Sequence, residues 1–568
     1  MIRAAFSFVR SYFALILVAA TFAWSAIAIV SYRARGVPPG AITIRLGHWQ
    51  LEASVREAID QMAEEYRRTV NPNVYLIQDA IPEGTYGQWV STQLMGGTAP
   101  DILQVGAMLP GNIWLSYYQR FFVPLTRTVE RPNPHNVGTE HEGVPLRKTY
   151  KDGMKTAYVD EMQEYMSIPL AQFGSRMFYN KDLLKKLTGL DEPPDEYRAF
   201  LDVCEKIRAQ QGDDGRFFIP IACSGYHFGM MGGLMWEPLT YRAIEKADFN
   251  RDGSVGNDEQ FVAFRTGRLD FDFLPYRARF KMIEEMTRYF QSGYTGLTRD
   301  EAVFLFAQQK AVFMATGTWD ARSLQEQAKG QFNVGVMRYP FPTPEDPFYG
   351  PVAPARPREQ VGTGFQFGIA RTSAHPDVAL DFLLFLASRM GNQELNRIIG
   401  WIPSIQGTET DPLLRAFEPN IVGIYGAMNF TLGGETVVRW NQLQALYQVN
   451  QITYQQFADT YKPFYLERGL LDYMEQSRDW RRGMQRNELF LAGIRARALF
   501  SEGAESNTEW IRYRALTASR QVWEELNRSR QLKLMEKGIA TNAVGPYEYS
   551  PEVLEIVKKN LKRKADQQ

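Results

Sequence analysis

Ile42, Ile44 and Leu46 alternate with polar positions, the two-residue period of a strand with one buried face. Val55, Ile59, Met62 and Tyr66 then recur at helical spacing, with Glu and Arg on the other face. Asn71-Pro72-Asn73 breaks that helix, and Val74-Tyr75-Leu76-Ile77 reads as a second strand. The turn Gly96-Gly97-Thr98-Ala99-Pro100 leads into a third, Asp101 to Val105. Strand–helix–strand order with short turns predicts a parallel sheet covered by helices. Ligands of such sheets sit at the carboxyl ends of the strands. Here those ends hold His48-Trp49-Gln50 and Gly106-Ala107-Met108.

The same grammar resumes near Tyr165. Met177-Phe178-Tyr179 is strand-like, Asn180-Lys181-Asp182 opens a helix, and Pro193-Pro194-Asp195 starts the next. Val312-Phe313-Met314 leads to Gly317-Thr318-Trp319, and Phe365 to Ile369 reads as a strand. His375-Pro376-Asp377 precedes a helix with Val378, Phe382, Leu383 and Leu386 on one face. After about residue 410 strand signals fade. Trp480–Phe500 and Asn507–Lys537 read as helices, the second with a Ser506/Glu509 capping box and Gly538 as its C-terminal cap. Ser550-Pro551-Glu552 opens a last short helix whose basic end, Lys558 to Lys564, reads as a solvated tail complementing the helix dipole, with a membrane or partner patch as the alternative.

The chain has 568 residues, enough for two to four domains at about 150 residues each. Its 64 basic and 64 acidic residues cancel, which disfavours a nucleic-acid binder. Two cysteines, Cys204 and Cys223, cannot build a disulfide framework or a Cys-rich zinc site, and either pair or stay as buried thiols. Five scattered histidines argue against a His-rich metal centre. Aromatics at 13% serve a large core or stacking surfaces for sugar rings.

Residues 11–32 carry no charge, with Arg3 and Arg10 before them and Arg33 and Arg35 after. Two outcomes fit: a secretory signal cut near Ala28, or an anchor of about the 20 residues a bilayer span needs. Both place the rest of the chain outside the cytoplasm. No Cys follows the run, so a lipoprotein anchor is excluded.

The sharpest local motif is Asp248 to Glu259, DFNRDGSVGNDE, which fits D-x-[DN]-x-[DN]-G-x₅-E. A calcium ion would take side-chain oxygens of Asp248, Asn250 and Asp252, the Ser254 carbonyl, and both oxygens of Glu259. Gly253 permits the sharp turn, and Val255 fills the apolar position. A polar Asp-Gly turn on a surface hairpin is the alternative. The ion's role would be structural.

Several segments, in order, carry a family resemblance. Gly97 to Ile102 resembles a G-x-x-P-D stretch, and Ile168-Pro169 followed by Phe178-Tyr179-Asn180-Lys181-Asp182-Leu183-Leu184 resembles an interlobe crossover and the Y-N-K-D-L-L signature. Pro193 to Tyr197 resembles P-P-x-T-W, with Tyr for Trp. FAQQKAVFMATGTW, Phe306 to Trp319, resembles F-x-x-G-K-A-A-M-x-x-x-G-x-W, with Gln309 in place of Gly. Gly368 to Phe385 resembles the return crossover and its helix, and Gly400-Trp401-Ile402-Pro403-Ser404 the G-x-x-P-x end of that lobe. The ordered set, over roughly residues 41–475, resembles bacterial extracellular solute-binding proteins of family 1, the maltose-binding-protein-like components of ABC importers.

The resemblance implies an α/β, two-lobed periplasmic-binding-protein fold of type II, hinged between lobes, with a C-terminal helical extension. The expected organisation is 1–40 as signal or anchor; 41–170 as lobe 1, with 360–410 returning to it; 171–359 as lobe 2, carrying the loop at 248–259; and 411–568 as a helical region. The implied ligand is a sugar or oligosaccharide held in an interlobe cleft, the implied partner an inner-membrane permease, and the protein a monomer rather than an enzyme. Flat aromatics suit sugar faces, and polar side chains suit hydroxyl rims. Trp319 resembles the family's cleft aromatic, and Trp440 falls where members place another. Tyr226 and Trp236 fall where the second lobe contributes; Trp49, Gln50 and Met108 stand at the first-lobe strand ends. A membrane-tethered sensor subunit and an extracytoplasmic carbohydrate-active enzyme are the competing readings. No G-x-S-x-G nucleophile elbow is present.

Overall fold

The structure is a computed structural model. It describes residues 37–517 except 107–110, 213–214, 251, 360–361 and 431, together with Thr21, Trp24, Gln531, Lys533 and Leu534. Apart from Thr21 and Trp24, residues 11–32 fall outside these, as do Met108, Gly538 and the last basic helix.

The elements that position the site are, in chain order, β1 (Ile42–His48), α1 (Ala53–Thr69), β2 (Val74–Ala80), α2 (Glu83–Gly96), β3 (Ile102–Val105), β4 (Ile168–Phe173), β5 (Ser175–Asn180), α3 (Lys181–Thr188) and α4 (Tyr197–Arg208). There follow β6 (Ile219–Ala222), α5 (Gly225–Gly232), α6 (Asn257–Arg265), α7 (Leu274–Thr287), α8 (Arg299–Ala307), β7 (Ala311–Gly317), β8 (Val334–Met337) and β9 (Gly362–Ile369). The chain continues through α9 (Pro376–Leu386), α10 (Arg389–Ile399), β10 (Ile402–Pro403), α11 (Gly434–Gln448), α12 (Tyr454–Phe500) and α13 (Gly503–Thr517).

The chain divides into two compact units. The first comprises residues up to Thr149 with Met166–Leu170 and Phe365–Ile399; the second comprises Tyr150–Tyr165, Ala171–Gly364 and Gly400 onward. The chain therefore changes unit inside β4 and again inside β9.

In the first unit β1 runs parallel to β2, with Ile42 opposite Val74 and His48 opposite Ala80, and parallel to β3, with Leu46 opposite Ile102. β9 adds antiparallel to β3. Val55, Ile59, Met62 and Tyr66, the stripe read from the sequence, are all buried. A Cβ on Gly47 would lie 2.9 Å from Leu103 and 3.0 Å from Trp89, so only glycine lets α2 close on β1. Asp101 of the G-x-x-P-D stretch is structural: its carboxylate accepts from the Arg45 amide at 2.8 Å and the Ser373 hydroxyl at 2.5 Å.

The second unit is built on a sheet in the order β8-β5-β7-β6. β5 is antiparallel to both neighbours, and β6 runs parallel to β7. The Y-N-K-D-L-L residues explain themselves here. The Tyr179 ring lies where a Cβ on Gly335 would be 2.3 Å away, and Asn180 caps α3 by accepting from the Leu183 amide at 2.9 Å. Asp182 holds the Asn333 amide at 2.9 Å, and Leu183 and Leu184 enter the core. The helix after Pro193-Pro194 starts later than the prolines suggest, because Glu196 is its cap, accepting from Arg198 and Ala199.

Two boundaries differ from the sequence reading. Tyr150–Tyr165 belongs to the second unit, because Tyr150 bridges to Ile405 and the Lys151 amide donates to Ser404 at 3.0 Å. Gly400–Gly407 also belongs there. Trp401 packs edge-on to Phe173 at 5.0 Å, and Ile402 and Pro403 pair with Gln172 and Ala171.

The C-terminal helices are part of the second unit's core. Phe457, Tyr461, Tyr465 and Tyr473 of α12 are fully buried, and Tyr473 stacks on Phe261 at 5.8 Å. α12 is one 47-residue helix opened by a capping box at Thr453 and Gln456. α13 begins at Gly503, so Ser506 and Glu509 are not its capping box. Ser506 donates to the Ala498 carbonyl, and Glu509 faces Arg497 and Arg512. Arg512, buried, pairs with buried Glu164 at 2.5 Å and donates to the Met162 carbonyl at 2.8 Å. Among the described residues no helix is long and apolar enough to cross a membrane. Cys204 and Cys223 are separate buried thiols.

Removing one partner of a buried ion pair leaves the other charge desolvated. Arg512→Met should therefore lower the unfolding free energy by about 3–5 kcal/mol in denaturant titrations. Arg512→Met with Glu164→Leu should recover most of that loss; equal losses in both would show that the pair is not the fastening.

Candidate functional site

Parallel strands with helical returns leave their carboxyl ends along one edge. In the second unit β6, β7 and β8 all end on one edge, and β5, being antiparallel, begins there with Ser175 opposite Gly317. The edge therefore carries Ser224-Gly225-Tyr226 after β6, Thr318-Trp319-Asp320 after β7, and Arg338-Tyr339 after β8.

Tyr226 is 41% exposed at the start of α5, with the Arg299 guanidinium 5.6 Å from its ring centre. Arg299 is ion-paired to Asp320, which also accepts from the Thr316 hydroxyl, so the cation is fixed by the residue after Trp319. Trp319 is half-buried and meets Phe173 edge-on at 5.7 Å. The G-x-W spacing has a steric cause: a Cβ on Gly317 would lie 2.3 Å from the Trp319 ring, which folds back over the strand end. Behind Tyr226, His227 is fully buried and shares a 2.8 Å hydrogen bond with Ser224. Burial and nearby Arg299 push its pKa down to about 4.

The first unit has its own carboxyl edge. Trp49 and Gln50 follow β1 and are half-buried. Trp49 meets Tyr86 edge-on at 5.0 Å, and its amide donates to Gln104 at 3.3 Å. His48 beneath is fully buried. Its Nδ1 accepts from the Gln50 amide at 3.2 Å, so the proton sits on Nε2 and is donated to Gln78 at 2.9 Å. Burial pushes the His48 pKa down to about 4, so a neutral ring sets the backbone at Gln50.

Of the residues proposed from the sequence, Tyr226 and Trp319 share the second unit's edge, and Trp49 and Gln50 stand at the first unit's. Met108 lies outside the described residues. Two expectations are corrected. Trp236 is 1% exposed against Phe228, 4.6 Å away, with Gly232 under its ring. Trp440 is 8% exposed, stacked on Phe430 at 4.4 Å and met edge-on by Phe457 and Tyr461. Both rings are covered by core aromatics and offer no free face. Arg299, Arg338 and Tyr339 went unread in the sequence. The short strand Val334–Met337 that aims the last two was the available signal.

In the Asp248–Glu259 loop, Gly253 adopts φ +84°, and Asp248 accepts from the amides of Asp252 and Gly253 at 3.1 and 3.0 Å. Buried Glu259 accepts from the amides of Phe249, Asn250 and Gly256 at 2.9, 3.0 and 2.9 Å. Burial pushes the Glu259 carboxyl up to about 7 against the pull of those donors. Among the described residues no three His, Cys, Asp or Glu side chains form a group able to hold a metal. An ion here would have to displace amide partners from the carboxylates.

The family model of bacterial extracellular solute-binding proteins matches residues 61–416. The chain belongs to this family. As a member it resembles the multiple sugar-binding protein of Streptococcus mutans, 20% identical over 302 residues, 51% of this chain and 60% of that protein. The chain thus spans about 60% of the length of that curated relative. Among solved structures it resembles a chitin oligosaccharide binding protein, with a TM-score of 0.51 and 16% identity over 74% of this chain and 98% of the other. It also resembles RafE in complex with raffinose, with a TM-score of 0.51 and 16% identity over 75% and 99%. The apo form of RafE from Streptococcus pneumoniae gives 0.50 and 16% over 76% and 98%. These likenesses establish the two-lobed solute-binding-protein fold. Helices α11–α13 lie beyond the matched residues.

The neutral histidines make stability depend on pH. An unfolded chain protonates both near pH 6.5, whereas the folded chain resists until about pH 4. Their contribution is complete above pH 6.5 and is lost as pH falls toward 4, by up to about 3 kcal/mol each. His48→Gln should flatten part of that decline in unfolding midpoints measured from pH 7 to 4; an unchanged slope would refute the assignment.

Proposed function

We propose that this protein captures a sugar or oligosaccharide outside the cytoplasm and delivers it to an ABC-type importer, without chemistry of its own. The observation that carries this reading is the second unit's carboxyl edge. An exposed Tyr226 and a half-buried Trp319 offer stacking faces there, with Arg299, packed against the Tyr226 ring and paired to Asp320, as a hydroxyl-binding donor. Trp49 and Gln50 supply the same pairing of a flat ring and a polar rim at the first unit's strand end. The named relatives are sugar-binding proteins, which supports the ligand class, and the family's extracellular character agrees with export through residues 11–32. A monomer with one membrane permease as partner completes the reading.

A ligand that binds only the folded state raises the melting temperature by mass action. In a panel of mono- and oligosaccharides, polyamines and phosphodiesters, one sugar class should shift the full chain. Trp319→Ala should remove that shift at nearly unchanged stability. Trp440→Ala should cost about 3–5 kcal/mol of stability as a core truncation. A shift with a non-sugar alone would sink the carbohydrate reading.

We further propose, on ligand spacing alone, that the Asp248–Glu259 loop takes a structural calcium ion by exchanging the amide partners of Asp248 and Glu259 for the ion. Because Glu259 must be ionised to bind, the rise in melting temperature with millimolar calcium should grow between pH 6 and pH 8, and Glu259→Gln should lose it. No calcium-dependent shift at pH 8 would leave the loop an Asp-Gly turn.

A further inference from the structure

The chain passes between the two units at Thr149–Tyr150, Tyr165–Met166, Leu170–Ala171, Gly364–Phe365 and Ile399–Gly400. A hinge is made of the few residues that join two bodies. The Tyr150–Tyr165 excursion begins at one of these crossings and ends at the next. Within the second unit it is also tied beside two others. Asp152 accepts from the hydroxyl of Thr363, immediately before Gly364, at 2.9 Å. Just after Gly400, Ile405 bridges to Tyr150, the Gln406 amide group donates to the Tyr150 carbonyl at 2.9 Å, and the Ser404 carbonyl accepts from the Lys151 amide at 3.0 Å. What happens to this excursion therefore bears on the hinge.

The C-terminal helices grip it at its far turn. Tyr158-Val159 pairs with Glu164-Tyr165 as a short hairpin. From α13, Arg512 pairs with Glu164 at 2.5 Å and donates to the Met162 carbonyl at 2.8 Å. Gln163, between those two partners, adopts φ +51°, a region that residues with a Cβ occupy only where their surroundings hold them. Behind Arg512, Glu509 lies 3.6 Å from it and 3.4 Å from Arg497 of α12. Arg512 and Glu164 are both buried, so salt screens their charge-assisted contact little. α12 and α13 lie beyond residues 61–416, the part matched by the family, so the two-lobed fold does not require this grip.

We propose that the C-terminal extension is a brace on the hinge: α13, through Arg512, holds the Tyr150–Tyr165 excursion and so limits how far the two units swing. The brace acts whatever the bound solute.

Pulsed electron paramagnetic resonance on the ligand-free full chain tests this. Cys204 and Cys223 are buried, so cysteines placed at exposed Glu57 and Lys206, one in each unit, take the spin labels. Arg512→Met should roughly double the width of the Glu57–Lys206 distance distribution. Arg512→Lys, which keeps the charge but loses the planar fork, should give an intermediate width. A control pair at exposed Lys206 and Lys329, both in the second unit, should keep its width in every variant. Melting curves confirm that each variant is folded at the temperature used; should Arg512→Met not fold, Glu164→Gln is read by the same two pairs. An unchanged Glu57–Lys206 distribution would overturn the brace. Equal broadening of the control pair would overturn it too, because Arg512 would then only hold the second unit together.

Discussion

Two parallel neighbours cannot be joined by a tight turn. The chain must cross over the sheet through a helix and re-enter at the starting edge. That constraint shapes both units. It covers the sheet faces with helices, turns the strands into near-continuous apolar runs such as Ala311 to Ala315, and leaves the carboxyl edge as the place where loops and side chains collect. Tyr226, Trp319 and Tyr339 are far apart in sequence and reach one edge because β6, β7 and β8 all point the same way. Trp49 reaches the first unit's edge by the same rule.

The residues that mark the family serve mainly to hold this arrangement. Asp101 ties the β1 backbone to Ser373, Asn180 caps α3, and Gly317 makes room for the Trp319 ring. Each solves a packing or backbone hydrogen-bond problem set by the topology. They are therefore better guides to fold than to ligand. The residues that would choose a ligand lie one or two positions past the strands, where the backbone no longer dictates side-chain type.

Helices beyond the family-matched residues bury aromatics against α6 and α7. Phe430, Trp440, Phe457, Tyr461 and Tyr465 form one ring cluster with Phe261, Phe264 and Phe280. α13 then inserts Arg512 into the excursion at Tyr158–Tyr165. A cluster of this kind converts a tryptophan at a familiar sequence position into core, as happened to Trp440. The extension is thus an integral layer of the second unit.

Much of the architecture was written in local pattern. Alternation placed β1, β2 and β3, the 3.6-residue stripe placed α1, and Pro, Gly and Asn punctuation placed the turns between them, because periodicity and caps are properties of neighbouring residues. The ordered motifs then named the fold. Local pattern did not reveal that Tyr150–Tyr165 joins the second unit, that α12 runs unbroken through Pro463, or that Glu196 rather than a proline opens α4. Nor could it tell Trp319, which keeps a partly open face, from Trp236 and Trp440, which do not. Burial of a ring depends on what packs on it from hundreds of residues away. The ion pairs of Glu359 with Arg176 and of Arg356 with Asp195 join residues far apart in sequence and exist only in the folded chain. Sequence set the elements because they answer to local chemistry; tertiary structure decided the site because exposure and charge balance belong to the assembled chain.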